Sequence, residues 1–191
     1  MGIDRRKAAP RPPFGLAVAA MALAPVASGA KELTSPHGVF IEGGISDDSR
    51  SVVGGVAWTW VQPSTWGGGN ASGYVETSIG EWACHRQAGD HYDDCSTQVG
   101  PTPVIRDEPS WWERWYMELG IGIDVIVPDW KTDRRRFGSD SNFSDHVGLG
   151  RKFGDEGRDE IERRAEHDSD GGIRQPKPGE NWFQLRYMHW F

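Results

Sequence analysis

The run Glu166-His-Asp-Ser-Asp-Gly-Gly-Ile-Arg-Gln-Pro-Lys-Pro-Gly-Glu-Asn181 gathers residue types suited to nucleophilic catalysis. His167 and Ser169 are two apart, so on an extended strand both side chains project from one face. A serine hydroxyl becomes a nucleophile when a base lies within hydrogen-bond reach, and that base needs a third group to hold its ring. Glu180, beyond the intervening turn, can reach back to His167 in that third role. Taken alone, His-x-Ser is a weak motif, and it more often marks two polar loop residues than a catalytic pair. Cys84 and Cys95 bracket an acidic, histidine-containing segment. In an oxidising compartment they close a hairpin as a disulfide. A zinc site from Cys84, His85, His91 and Cys95 matches no familiar ligand spacing. Lys131, Arg134, Arg135 and Arg136 form a basic cluster that either steers an anionic ligand or is plain solvated loop.

These residues need a scaffold, and composition narrows the choice. With 28 acidic against 21 basic side chains and a net charge of −7, no basic surface dominates, which excludes a nucleic-acid binder. The negative mean hydropathy excludes a bundle of transmembrane helices. Arg5, Arg6, Lys7 and Arg11 precede the apolar run from Phe14 to Ala24, Pro25 breaks it, and Ser28-Gly29-Ala30 offers small residues. That order is a secretory leader, expected over residues 1–30 with cleavage near Ala30 and a single domain over 31–191.

The domain reads as short strands. In Trp115-Tyr-Met-Glu-Leu-Gly-Ile-Gly-Ile-Asp-Val125, Trp115, Met117, Leu119, Ile121, Ile123 and Val125 alternate with Tyr116, Glu118, Gly120, Gly122 and Asp124. Strict period-2 alternation is a strand, and its length suits a tilted bilayer crossing of ~9–11 residues. Companion strands are expected near 37–45, 51–61, 73–83, 96–106, 143–153, 159–169 and 182–191. The expected fold class is therefore all-β, an eight-stranded antiparallel transmembrane β-barrel with apolar residues facing lipid and small or polar ones facing a narrow lumen. An even strand count puts both ends in the periplasm. Outer loops then fall near 46–50, 84–95, 127–142 and 170–181, and inner turns near 62–72, 107–114 and 154–158. Trp58, Trp60, Trp66, Trp111, Trp112, Trp115, Trp182 and Trp190 stand near strand ends, as girdle residues do. A strand finishing on Phe191 resembles the assembly signal of bacterial outer-membrane barrels. A soluble periplasmic barrel or sandwich is the competing architecture.

Asn142-Phe-Ser-Asp-His-Val-Gly-Leu-Gly-Arg-Lys-Phe153 and the block from His167 to Phe191, with Pro176-Lys-Pro-Gly-Glu-Asn181, resemble the PagL-type lipid A 3-O-deacylases. That resemblance implies an outer-membrane serine esterase that removes the 3-O-linked hydroxyacyl chain of lipid A. It implies Ser169 as nucleophile, His167 as general base and Glu180 as the residue orienting the imidazole. No metal and no organic cofactor is implied. The implied partners are lipid A or lipopolysaccharide in the outer leaflet and the membrane itself, with a homodimer left open. The chain departs from the family pattern, His-aromatic-Ser-Asn-Ala-Gly, at His167-Asp-Ser-Asp-Gly-Gly172. An ionised Asp170 donates no hydrogen bond to an oxyanion, and Lys177 replaces a second asparagine on a longer stem. Backbone N–H groups of Gly171 and Gly172, with Lys177, are the expected remainder of the oxyanion hole. The alternative reading is a catalytically impaired or non-enzymatic small barrel, structural or adhesive, of the same fold.

Overall fold

A computed structural model describes residues 35–47, 49–66, 68–84, 95–127, 141–169 and 179–191. Eight strands follow one another: β1 (Gly38–Ile45), β2 (Ser49–Trp66), β3 (Gly69–Cys84), β4 (Cys95–Pro109), β5 (Trp115–Val127), β6 (Ser141–Phe153), β7 (Asp159–Ser169) and β8 (Glu180–Trp190). Each pairs antiparallel with its sequence neighbours, and β1 pairs with β8 to close the barrel. Closure gives every strand a paired neighbour on both sides, which is the condition for a sheet to stand in hydrocarbon. No helix among the described residues is long and apolar enough to cross a membrane.

The alternation read in β5 holds without exception. Its odd-numbered residues from Trp115 to Val127 are exposed and its even-numbered residues are buried. The same parity runs through β6, where Phe143, Val147 and Leu149 face outward and Ser144, His146 and Gly148 inward. On β8, Phe183, Leu185 and Tyr187 face outward. The outer wall is thus an apolar band, and the inside is packed with side chains.

Ion pairs make up the middle of that packing. Arg106 bridges Glu118 at 3.0 Å and Glu160 at 2.7 Å. Arg164 meets Glu118 at 2.8 Å, Glu162 at 2.9 Å and Glu76 at 3.0 Å, while Arg186 holds Glu76 at 2.6 Å. Towards the end carrying Gly38 and Trp190, Phe40, Val53, Ala57, Tyr74, Val104 and Met188 form an apolar layer. Trp82, Ile126 and Trp182 form another towards the opposite end.

Glycines on the inner face leave room for this interior. A Cβ at Gly150 would run into the Tyr116 ring, which stacks under the Arg106 guanidinium at 3.8 Å and bonds Glu162 at 3.3 Å. Gly120 opposes His146 in the same way. Gly150→Val therefore displaces Tyr116 and is expected to cost ~1–3 kcal/mol, as overpacking does. Urea unfolding in detergent micelles reads it, and an unchanged midpoint refutes this account of the lumen.

Two expectations are corrected. The Gly-rich segment expected as a long inner turn over 62–72 is mostly ladder. β2 continues to Trp66 and β3 begins at Gly69, with Ser64 opposite Ala71 and Thr65 opposite Asn70. Register irregularities between Thr59 and Ser64 accommodate Pro63, which cannot donate to a ladder, and pairing then resumes. The tryptophans also divide. Trp111, Trp112 and Trp115 are exposed, but Trp182 is 1% exposed inside the lumen, and Trp60 and Trp190 pack against the inner apolar layer. Parity explains Trp182 and Trp190, since both share the inward face of β8 with Gln184 and Arg186. The leader over 1–30 and the basic cluster Lys131 to Arg136 lie outside the described residues. So do the Cys84 and Cys95 side chains, Asp170, Gly171, Gly172 and Lys177.

Candidate active site

The outward face of β7 carries Ile161, Arg163, Ala165 and His167, ending at the half-buried Ser169. Glu160, Glu162, Arg164, Glu166 and Asp168 take the lumen side. His167 and Ser169 therefore share the outer wall, at the end of the barrel opposite Gly38 and Trp190, as their spacing predicts. Cross-strand neighbours complete the surroundings. In the ladders Asp145 of β6 stands opposite His167, Phe143 opposite Ser169, and Asn181 of β8 opposite His167 on its other side.

The imidazole has a defined partner. Nδ1 of His167 lies 2.7 Å from Oδ1 of Asn181. A carbonyl oxygen only accepts, so Nδ1–H is the donor of this bond and Nε2 is left for another partner. Glu180, expected beside His167, borders the same groove but shows a different ladder partner. It pairs across the ladder with Asp168, and its side chain is 1% exposed on the inner side of the wall. The ring bonds Asn181, while Glu180 is buried where β8 begins, beside the same groove. Sequence reasoning also passed over Asp145. The available signal for both residues was face parity, because each lies on the outward set of its strand.

A groove of about 700 Å³ opens beside His167, lined on the outer side by Ile45, Asp145, Ala165, Asn181 and Phe183. Ala165 is the small residue below His167, flanked in the ladders by Val147 and Phe183. Such a site admits an apolar chain running down the wall, with polar groups held at the rim. Among the described residues no cluster of His, Cys, Asp or Glu is arranged to hold a metal ion.

The sequence model of the family described as "Lipid A 3-O-deacylase (PagL)" matches residues 52–190, which takes in seven of the strands from β2 to β8. The chain belongs to this family. A curated PagL relative, "Lipid A deacylase PagL" of Bordetella bronchiseptica, is 38% identical over 96 residues, or 49% of this chain and 50% of the relative. The match thus spans about half the length of that curated relative. The solved structure titled "Crystal structure of the outer membrane enzyme PagL" superposes with a TM-score of 0.66 at 23% identity. It covers 81% of this chain and 99% of that one. The shared architecture is the PagL-type barrel, eight antiparallel strands closed β1 to β8.

Proposed function

We propose that this chain is an outer-membrane serine esterase that removes the 3-O-linked hydroxyacyl chain from lipid A. The observation that carries the reading is the placement of His167 and Ser169 on the outward side of β7, beside a groove whose lining joins apolar residues such as Ile45, Ala165 and Phe183 to polar ones at the rim. A substrate that never leaves the leaflet has to be met from that side. Family membership supplies the substrate class.

In the proposed reaction Ser169 Oγ attacks the acyl ester carbonyl while Nε2 of His167 takes the hydroxyl proton. The tetrahedral oxyanion accepts hydrogen bonds from donors beyond Ser169, with Gly171 and Gly172 N–H groups and Lys177 as the assigned donors. Collapse expels the sugar 3-oxygen, which receives the proton from the imidazolium, and leaves the acyl chain on Ser169. Water, deprotonated by His167, then attacks the acyl-enzyme. That step releases the 3-hydroxy fatty acid and restores the serine. The proposal also takes residues 1–30 as a cleaved leader and Cys84 with Cys95 as a disulfide.

Mass spectrometry of lipid A from cells with and without the protein tests the reaction. The expected result is loss of one hydroxyacyl mass and appearance of the free 3-hydroxy acid. Unchanged lipid A in cells whose outer membranes contain the folded barrel overturns it, and favours the non-enzymatic alternative that Asp170 and Lys177 suggest.

A further inference from the structure

The end of the barrel away from His167 carries an outward polar cluster that the proposed reaction does not use. Asp159 opens β7, with Phe153 of β6 opposite it on one side and His189 of β8 on the other. Its Oδ1 accepts the Nδ1–H of His189 at 2.7 Å and the Tyr187 hydroxyl at 2.8 Å. Both bonds fall on one oxygen, and Oδ2 takes none among the described residues. Beside Oδ2 lies the turn residue Gly154, where a Cβ would stand 3.1 Å away. A glycine there leaves the oxygen approachable. The adjacent cation, Arg158, is held by Glu156 at 2.9 Å. Aromatic rings frame the carboxylate, with Phe153 6.2 Å from Tyr187 and Phe191 5.8 Å from His189 between centroids.

One outward row further from that end, about 7 Å along the strand, Arg151 of β6 stands opposite Ile161. Its guanidinium lies 5.7 Å from the centroid of the Trp115 ring, and no carboxylate pairs with it among the described residues. Leu149 and Leu185, with Arg163 between them, form the next row. From the end inward the wall therefore presents an anion, then a cation, then apolar side chains. A phospholipid with a primary ammonium presents the complementary order, ammonium outermost, phosphate beneath it and acyl chains beneath that. We propose that this rim binds the headgroup of such a lipid, in the leaflet opposite the one that holds His167. The ammonium donates to Oδ2 of Asp159 among aromatic faces, a pairing that suits a cation on both counts. The phosphate accepts from Arg151, which Trp115 holds against the wall. A headgroup that lacks the amine leaves Asp159 unanswered. The site needs only that the barrel stands in a bilayer, so it goes beyond the deacylase reading and does not depend on turnover.

Native mass spectrometry of the full barrel from detergent micelles tests this. The protein is titrated with phosphatidylethanolamine or with phosphatidylglycerol of the same acyl chains. The wild type is expected to hold the ethanolamine lipid about tenfold more tightly, the scale of one charge-assisted hydrogen bond. Asp159→Asn keeps an oxygen for Tyr187 and His189 but loses the charge, and is expected to bind the two lipids equally. Arg151→Gln is expected to weaken both alike, because both carry the phosphate. The heat-dependent gel shift shows that each variant is folded. Equal binding of the two lipids by the wild type overturns the proposal, and so does a folded Asp159→Asn protein that keeps the preference. Should Asp159→Asn not fold, Arg151→Gln on the neighbouring strand decides, and unchanged binding of both lipids by that variant overturns the site.

Discussion

On the proposed reaction, Ser169→Ala is expected to give a folded barrel that releases no hydroxyacyl chain from lipid A. The residue is the last of β7, half-buried on the outer face, and removing its hydroxyl leaves the ladder opposite Phe143 in place. Substitutions of that kind change stability by only ~0.5 kcal/mol. The chemical consequence is of another order. Without the nucleophile there is no acyl-enzyme, and turnover is expected to fall by at least ~10³-fold, the scale on which a serine nucleophile acts. His167→Asn should do nearly the same, because the hydroxyl then lacks its base. Outer-membrane fractionation and the heat-dependent gel shift of a barrel show that each variant is folded, and release of 3-hydroxy fatty acid shows whether it acts. A folded Ser169→Ala protein that still deacylates displaces the nucleophile to another residue.

Neighbouring arginines are expected to give opposite results when made apolar. Arg164 is inside the lumen, its side chain 2% exposed, within 3.0 Å of Glu76, Glu118 and Glu162. Arg164→Met strands those carboxylates in a closed interior, and breaking a buried ionic cluster from one side costs ~3–5 kcal/mol. Arg163, one residue away, is exposed on the outer wall, with Leu149 and Leu185 opposite it in the two ladders. A cation on the lipid face of a barrel costs ~2–4 kcal/mol at the midplane and less towards the interface. Arg163→Met is therefore expected to be neutral or stabilising. Urea unfolding of both variants in the same micelles makes the comparison. A loss below ~1 kcal/mol for Arg164→Met contradicts the ion-pair account of the lumen, and a loss for Arg163→Met as large as that for Arg164→Met removes the distinction between the faces.

The strands were legible because the two sides of this wall demand opposite chemistry. Alternation in Trp115–Val127 carries the inside-outside assignment by itself, and β6, β7 and β8 follow the same parity. Composition misled where it was read in place of parity. Gly67 to Gly73 looks like a loop, yet backbone pairing opposite Ser64, Thr65 and Trp66 needs no side chain. Trp182 looks like a girdle residue, yet its even position aims it inward. In the site, the shared face of His167 and Ser169 was readable from a spacing of two. The partner of His167 was not, because it depends on the pairing register between β7 and β8. The chain encodes that register in the burial of Trp182, Gln184 and Arg186 rather than near the histidine. Asp145 was hidden for the same reason, since its neighbour is known only once β6 and β7 are aligned.

The crowded lumen has an electrical consequence. From the layer around Tyr74 and Met188, through the arginine and glutamate pairs, to Trp82 and Trp182, side chains fill the axis of the barrel. Each fixed cation there is already matched by a carboxylate within 3.0 Å, so a mobile ion entering the axis would have to break a pair and shed its own hydration to advance. Reconstituted in a planar bilayer, the barrel is expected to pass no measurable ion current. Substrate for the proposed reaction is therefore expected to arrive within the plane of the lipid rather than along the axis of the barrel.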